Sequence, residues 1–141
     1  SFGKFESDLD YLFVTNLLDG RKVPLYGDGL NVRDWLYVED NCAGVDLVLR
    51  RGEVGESYNL GAGNEITNRE LTDRILALCG AGEEMIDYVE DRLGHDRRYS
   101  IDCSKAAALG WKPARALDEA LAATVAWYRD NEWWWRPLKQ A

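Results

Sequence analysis

Apolar and polar positions along the chain follow periods that predict helices separated by short strands. Helical spacing predicts a first helix over residues 7–19, with Ser7 as its N-cap and Gly20 directly after its end. The residues expected to share one face of this helix are Leu9, Leu12, Phe13, Asn16 and Leu17.

Two short strands are predicted over 22–26 and 32–38, on either side of a glycine-aspartate-glycine turn at 27–29. Glycines permit the left-handed backbone conformations that a tight reversal demands. A second helix is predicted over 39–51, because acidic residues open it, two arginines close it and a glycine follows. These charges complement the helix dipole.

A strand is predicted over 57–60, where a glycine-alanine-glycine segment ends it. Thr67 followed by Glu70 is typical of a capping box, which predicts a third helix through Cys79. This assignment places Asn68 in the first helical turn.

Further strands are predicted over 85–89 and 99–101, and a short helix over 104–109. A last long helix is expected over 117–131. Its apolar stripe consists of Leu117, Leu121, Val125 and Tyr128.

Three consecutive tryptophans at 133–135 follow this helix. Packing of this tail against the core is the favoured interpretation, and a docking surface for a partner chain is the alternative. The element pattern predicts a mixed α/β fold, but its strands are few and short for an independent doubly wound sheet.

Composition narrows the functional classes. With 46% hydrophobic residues, the 141-residue chain is expected to form one globular domain over 1–141. The net charge of -8 at pH 7 argues against nucleic acid as a partner, since binding a polyanion requires a strong basic face. We see no signal peptide or membrane-spanning apolar run, so we expect a cytoplasmic protein with no membrane partner.

The cysteines at 42, 79 and 103 are far apart and lack metal-ligand spacing. They are expected to be reduced and mostly buried thiols, and no metal site is predicted. The turn at 27–29 lacks the third glycine of a dinucleotide-binding turn, and a strand is predicted after it. No tyrosine is followed four residues later by lysine, which removes the usual short-chain dehydrogenase pair.

The run over 91–99 concentrates charged side chains around His95, the only histidine of the chain. Arginine presents paired donors that match phosphate oxygens, so this run is a candidate anion-binding loop. A solvated surface loop is the alternative.

Five motifs, in order, resemble the C-terminal portion of the dTDP-glucose 4,6-dehydratases, a family of extended short-chain dehydrogenases/reductases. They are Pro24-Leu25-Tyr26-Gly27-Asp28-Gly29, Arg33-Asp34-Trp35-Leu36-Tyr37-Val38-Glu39-Asp40, Tyr58-Asn59-Leu60-Gly61, Gly94-His95-Asp96-Arg97-Arg98-Tyr99 and Leu109-Gly110-Trp111-Lys112-Pro113. The resemblance implies a small mixed α/β substrate-binding domain without the N-terminal Rossmann domain.

The resemblance also implies a function. In such enzymes NAD oxidises the sugar at C4, water leaves across C5 and C6, and the hydride returns to C6. The groups that perform this chemistry precede residue 1 in the family's order, so we expect no catalytic residue and no cofactor in this chain. The implied ligand is dTDP-glucose or a related nucleotide sugar, and the implied partner is an NAD-binding domain or chain.

Six binding residues carry over from the resemblance. Pro24 and Tyr26 are expected beside the thymine, and Arg33, Arg92 and His95 toward the diphosphate or the sugar. Asn68 is expected as a further polar contact. Four of these residues have a structural alternative: Tyr26 as an ordinary strand aromatic, Asn68 as part of the helix cap, Arg33 in a surface ion pair with Asp34, and His95 bound to a turn carbonyl.

The chain departs from the family twice. It has Glu6-Ser7-Asp8 where a proline-glutamate-lysine segment is usual, and Leu93 where proline is common. Three hypotheses remain: the substrate-binding part of a dehydratase that is inactive alone, a stand-alone module for dTDP- or UDP-sugars, and a piece that docks on a separate NAD-binding chain. An exposed apolar patch would favour the first and third.

Overall fold

The computed structural model describes residues 9–140, excluding the side chain of residue 140. The predicted N-cap Ser7 and the departure at 6–8 lie outside these residues. The helices are α1 (Leu9–Leu18), α2 (Val38–Arg51), α3 (Asn68–Cys79), α4 (Ser104–Ala108), α5 (Leu117–Asp130) and α6 (Glu132–Gln140). The strands are β1 (Val23–Tyr26), β2 (Val32–Asp34), β3 (Glu65–Thr67) and β4 (Ile86–Val89), the last preceded by a 3₁₀ turn at Glu83–Met85.

The strands form two small sheets. β1 pairs in parallel with β4, and β2 pairs antiparallel with β3. The loop after β4 also reaches β2, because Val32 donates its N–H to the carbonyl of Arg97 (2.8 Å) and accepts the N–H of Tyr99 (3.2 Å). These bonds hold the loop over 91–99 beside β2.

One hydrophobic core joins α1, β1, α3, β4 and α5. β1 is its centre, since Val23 and Leu25 are buried on the same side of the strand. The predicted stripe of α5 is confirmed where Leu121 and Val125 are buried. The buried core residues are Phe13, Val14, Val23, Leu25, Leu71, Ile75, Leu76, Ile86, Leu121 and Val125.

The predicted face of α1 is partly wrong. Leu9, Leu12 and Leu17 are only half-buried. The helix is apolar on most sides, so periodicity alone could not select the core face. The fully buried residues of α1 are Tyr11, Phe13, Val14, Thr15 and Asn16.

Two predicted strands are absent from the described chain. Residues 57–60 are not in a strand, and 99–101 forms no strand, although the backbone of Tyr99 bonds Val32 as described above. Conversely, β3 was not predicted, because its three residues form a strand only through pairing with β2. The predicted strand over 32–38 also ends earlier, at Asp34.

The local signals at helix ends are confirmed. The Thr67 hydroxyl accepts the N–H of Glu70, whose carboxylate in turn accepts the N–H of Thr67, and Gly80 ends α3 at a φ of 67°. α2 begins with acidic and ends with basic residues, as predicted. The expectation of mostly buried cysteines is wrong for Cys42, which is exposed on α2. None of the helices in 9–140 is long and apolar enough to cross a membrane.

Candidate functional site

A cleft of about 740 Å³ lies between α1, β1, β2 and the loop over 91–99. Its wall along α1 is mostly apolar but includes Asp10, and its other sides carry cations, aromatic rings, an amide and the carboxylate of Asp34. All six residues assigned by resemblance line this one cleft: Pro24, Tyr26, Arg33, Asn68, Arg92 and His95. The fold therefore brings together residues that are widely separated in the sequence.

Arg33 is held rigidly at the cleft. Its guanidinium donates to the carbonyl of Val32 (2.7 Å) and to the carbonyl of Asp96 (2.8 Å). The same group stacks on Tyr99, with its carbon 4.1 Å from the ring centroid. A guanidinium fixed in this way keeps further N–H donors for a ligand and loses little entropy on binding.

The surroundings of Arg33 exclude the simple ion pair considered from the sequence. Asp34 instead accepts the backbone N–H groups of Gly63 (3.1 Å) and Asn64 (2.7 Å). The hydroxyl of Tyr99 donates to Asp96 (2.7 Å), and this bond raises the pKa of Tyr99. Tyr99 therefore stays neutral at physiological pH and serves as the platform beneath Arg33.

Tyr26 and His95 form the aromatic side of the cleft. Their ring centroids are 6.1 Å apart and the rings are nearly perpendicular, at 81°. Tyr26 is largely exposed, whereas only 6% of the His95 side chain is exposed. An exposed ring beside half-buried Pro24 offers a flat apolar surface suited to a planar ligand.

His95 does not bind a turn carbonyl. Its Nδ1 lies 2.6 Å from a carboxylate oxygen of Asp91. The same oxygen accepts the backbone N–H of Arg92 at 2.9 Å. The Arg92 side chain is exposed, and within residues 9–140 its guanidinium has no carboxylate partner. Arg92 is therefore a free cation at the rim of the cleft.

Two buried polar atoms at the cleft have no partner among the described residues: Oδ1 of Asn68 and Nε1 of Trp35. Both backbone groups of Asn68 form hydrogen bonds: its N–H donates to the carbonyl of Asn31, and its carbonyl accepts the hydroxyl of Thr72. A buried polar group without a partner destabilises a fold by about 1–3 kcal/mol. Both residues line the cleft, but these two atoms themselves are shielded from solvent.

Trp35 was not identified from the sequence as a site residue, although it lies in one of the five motifs. Its position two residues after Arg33 was the available signal, because strand alternation places residues i and i+2 on one face. The half-buried Leu9 and Leu12 of α1 also line the cleft. Their exposure toward the cleft explains why the predicted core face of α1 was partly wrong.

The turn over 27–29 supports the cleft rather than a dinucleotide. It joins β1 to β2, with Gly27 and Gly29 at positive φ of 57° and 73°. A Cβ on Gly29 would lie 2.7 Å from the side chain of Leu25. The carboxylate of Asp28 accepts hydrogen bonds from two guanidinium nitrogens of Arg97 (2.9 and 3.0 Å), and these bonds lower the pKa of Asp28. The turn is thus tied to the loop over 91–99.

The second arginine after His95 is also paired. Arg98 forms an ion pair with Glu65 of β3. Arg97 and Arg98 thus both form ion pairs with acidic side chains of the fold. Within residues 9–140, no group of three or more histidine, cysteine or acidic side chains is arranged to hold a metal ion.

Comparison with known proteins identifies the family of the chain. The family model described as GDP-mannose 4,6 dehydratase matches residues 3–124. The chain belongs to this family. The similarity to dTDP-glucose 4,6-dehydratases is confirmed as well: the enzyme of that name from Streptomyces antibioticus is 56% identical over 138 residues, which is 97% of this chain and 41% of that protein.

Solved structures confirm the fold class. The chain superposes on the dTDP-glucose 4,6-dehydratase DesIV of Streptomyces venezuelae, solved with NAD and TYD bound, with a TM-score of 0.90 and 51% identity. This match covers 94% of the chain and 42% of DesIV. The Bacillus anthracis enzyme in complex with NAD gives a TM-score of 0.88 at 49% identity, covering 96% of this chain and 43% of that one.

The chain spans only about two fifths of the length of the curated relatives it matches. It corresponds to a C-terminal portion of an extended short-chain dehydrogenase/reductase, as the motifs predicted. The related structures contain NAD, yet the glycine turn of this chain leads into a strand instead of a helix. That turn therefore does not fit a dinucleotide phosphate.

Proposed function

We propose that residues 1–141 form the nucleotide-sugar-binding domain of an enzyme of the dTDP-glucose 4,6-dehydratase type. The observation that carries this proposal is the convergence of Arg33, Arg92 and His95 on one cleft. Two guanidinium groups provide charge-assisted donors that match the oxygens of a diphosphate, and the imidazole of His95 lies in the same cleft. The net negative charge of the whole chain makes this local cationic cluster the more selective for a small anion.

The remaining contacts suit the rest of such a ligand. Pro24 and the exposed ring of Tyr26 offer a surface for thymine, opposite the apolar wall of α1. Asn68 also lines the cleft, and its side-chain amide, which can both donate and accept hydrogen bonds, suits the hydroxyl groups of a sugar. Thymine differs from uracil by one methyl group, worth about 1 kcal/mol when buried, so UDP-sugars are the closest competitors.

The chemistry of dehydration is proposed for the assembled enzyme and not for this chain. NAD would be supplied by a separate NAD-binding portion, which would also carry the catalytic groups. We therefore expect the chain alone to bind the nucleotide sugar weakly, because half of the cleft is missing, and to leave it unchanged. The proposed setting is the cytoplasm, where nucleotide sugars for deoxysugar synthesis are made.

Arg92→Ala is expected to weaken dTDP binding about tenfold, since it removes a charge-assisted bond worth about 1.4 kcal/mol. Isothermal titration calorimetry with dTDP measures this effect. Arg98→Ala is the matched control, because it removes the same charge from the same loop but from a side chain that pairs with Glu65. Absence of binding heat in the wild type, or equal losses in both variants, would contradict the proposal.

An exposed apolar stripe supports docking on the NAD-binding portion. On α2, Leu49 is 84% exposed, and Val38 and Val45 are more than half exposed. The stripe also contains Cys42, at the helical spacing 38, 42, 45 and 49. The opposite side of α2 already packs inward, where the backbone of Asp40 accepts the indole N–H of Trp111.

Such an exposed apolar stripe is unfavourable in a stand-alone module, in which polar residues would be expected at these positions. The unpaired extended segment over 57–60 adds main-chain groups that another sheet could bind. Both features fit an NAD-binding portion with an open sheet, and the relatives' greater length provides room for one. Their combination favours a docked substrate domain over a solo sugar-nucleotide binder.

Leu49→Lys is expected to abolish association with the separately produced NAD-binding portion of the Streptomyces antibioticus relative, because docking would bury the new charge. Analytical ultracentrifugation of the mixture measures association, and dTDP-glucose conversion with added NAD measures assembly of the active site. Leu138→Lys, at an exposed apolar position of α6, is the control. Conversion of dTDP-glucose by the pure chain, or association that Leu49→Lys leaves unchanged, would contradict the docking proposal.

A further inference from the structure

Asp91 begins the loop that carries Arg92 and His95, but no binding role has been assigned to it. One of its carboxylate oxygens contacts His95 Nδ1 at 2.6 Å and accepts the Arg92 N–H at 2.9 Å. The side chain also packs against the turn after β1: a Cβ on Gly27 would lie 3.3 Å from Asp91 Oδ2. Asp91 therefore lies between His95 and the turn after β1.

We propose that Asp91 is a positioning residue that fixes the tautomer and the orientation of His95. An ionised carboxylate can only accept hydrogen bonds, so the imidazole nitrogen that faces it must carry the proton. Nδ1 is then the N–H of the neutral ring, and Nε2, on the opposite edge, is an acceptor. This proposal rests on the function proposed for the cleft.

Packing leaves the ring little alternative. The His95 side chain is only 6% exposed, and the edge contact with Tyr26 confines it on another side. A flip of the ring would place a carbon against the carboxylate and remove a hydrogen bond to an ionised acceptor, which costs more than the loss of a neutral contact. The Nδ1–H tautomer is thus built into the folded loop before any ligand arrives.

The tautomer decides which ligand group His95 can bind. In the neutral ring, Nε2 offers a lone pair and selects a hydroxyl donor of the sugar. After protonation of the ring, Nε2 becomes a donor and suits a phosphate oxygen. Asp91 thereby determines that the same ring atom faces the ligand in both charge states.

Nuclear magnetic resonance tests the proposal directly, because His95 is the only histidine of the chain. Long-range ¹H–¹⁵N correlation of the labelled protein at about pH 9, where imidazoles are neutral, identifies the protonated nitrogen. We expect Nδ1 to resonate as the protonated nitrogen in the wild type. Asp91→Ala is expected to shift the population toward the Nε2–H tautomer that unconstrained imidazole prefers in water.

Two further variants sharpen this measurement. Asp91→Asn keeps an acceptor oxygen and is expected to restore the Nδ1–H tautomer, whereas Asp87→Ala, at an exposed position of β4, leaves it unchanged. If Asp91→Ala does not fold, the wild-type spectrum and Asp91→Asn still decide. An Nε2–H tautomer in the wild type, or no change in a folded Asp91→Ala protein, would overturn the assignment.

A double-mutant cycle of binding measurements shows whether Asp91 acts on the ligand through His95 or only stabilises the fold. Asp91→Ala is expected to weaken dTDP-glucose binding about tenfold in the wild type and to have no further effect when His95 is already alanine. Equal effects in both backgrounds would refute the coupling. Because the spectrum is recorded without ligand, a failure of dTDP to bind would contradict the proposed function and leave the tautomer result intact.

Discussion

Trp135→Ala is expected to lower the free energy of unfolding by about 4 kcal/mol, which is typical of truncating a fully buried aromatic side chain. The Trp135 side chain is 0% exposed. Its indole N–H donates to the carbonyl of Tyr128 at 2.7 Å, and Arg136 lies over its ring at 4.8 Å. The substitution therefore removes packing, a hydrogen bond and a cation–π contact together.

Trp133→Ala is the matched control for this experiment. The Trp133 side chain is 74% exposed, so its truncation is expected to change stability by less than about 0.5 kcal/mol. Equilibrium denaturation in urea measures both variants, and the slope of the transition checks that the unfolded states are comparable. Equal stabilities of the two variants would show that the tail does not pack as described.

The contacts around α6 explain why only one of the three tryptophans is decisive. Arg136 and Lys139 both bind the carboxylate of Asp19 at the end of α1, at 2.9 and 3.0 Å. Burial acts to raise the pKa of Asp19, but the hydrogen bonds from Lys139 and Arg136 outweigh it and leave the pKa lowered. The tail is thus tied to α1, in agreement with the packing predicted for it, while Trp133 points away from the core.

Five of the six helices within residues 9–140 were predictable from the sequence because their signals are local, whereas α6, in the tryptophan tail, was not predicted. The capping box at Thr67, the charges at the ends of α2 and the stripe of α5 all act within a few residues. Strands depend on partners that are distant in the chain, so β3 could not be recognised before its pairing with β2 was known. The segment over 57–60 shows the converse: its strand pattern has no partner within the described chain.

For the candidate site as well, the sequence indicated the residues but not their arrangement. Its six residues could be named by resemblance, but spacing along the chain could not show that they share one cleft. The carbonyl of Asp96 that fixes Arg33 and the carboxylate of Asp91 that faces His95 depend on how one loop lies against β2. Non-local packing also leaves Nε1 of Trp35 without a hydrogen-bond partner among residues 9–140, which no sequence pattern reveals.

Arg33→Ala is expected to weaken dTDP binding about 100-fold, or roughly 2.7 kcal/mol, which exceeds the effect expected for Arg92. Arg92 is exposed and has no carboxylate partner among residues 9–140, whereas Arg33 is held by Val32, Asp96 and Tyr99 before ligand arrives. A pre-organised guanidinium pays less ordering entropy, so its bonds to a diphosphate contribute more. Calorimetric titration of dTDP, with competition by a tighter ligand where heat is small, measures the loss.

Arg33→Lys separates charge from geometry in the same experiment. Lysine keeps the positive charge but cannot hold two carbonyls and a phosphate with one planar fork, so we expect it to recover less than half of the lost binding free energy. Thermal denaturation of each variant shows whether the loop over 91–99 stays in place without the bond to Asp96. A folded Arg33→Ala protein with wild-type affinity would mean that the diphosphate does not lie beside β2, and the cleft would then need another ligand.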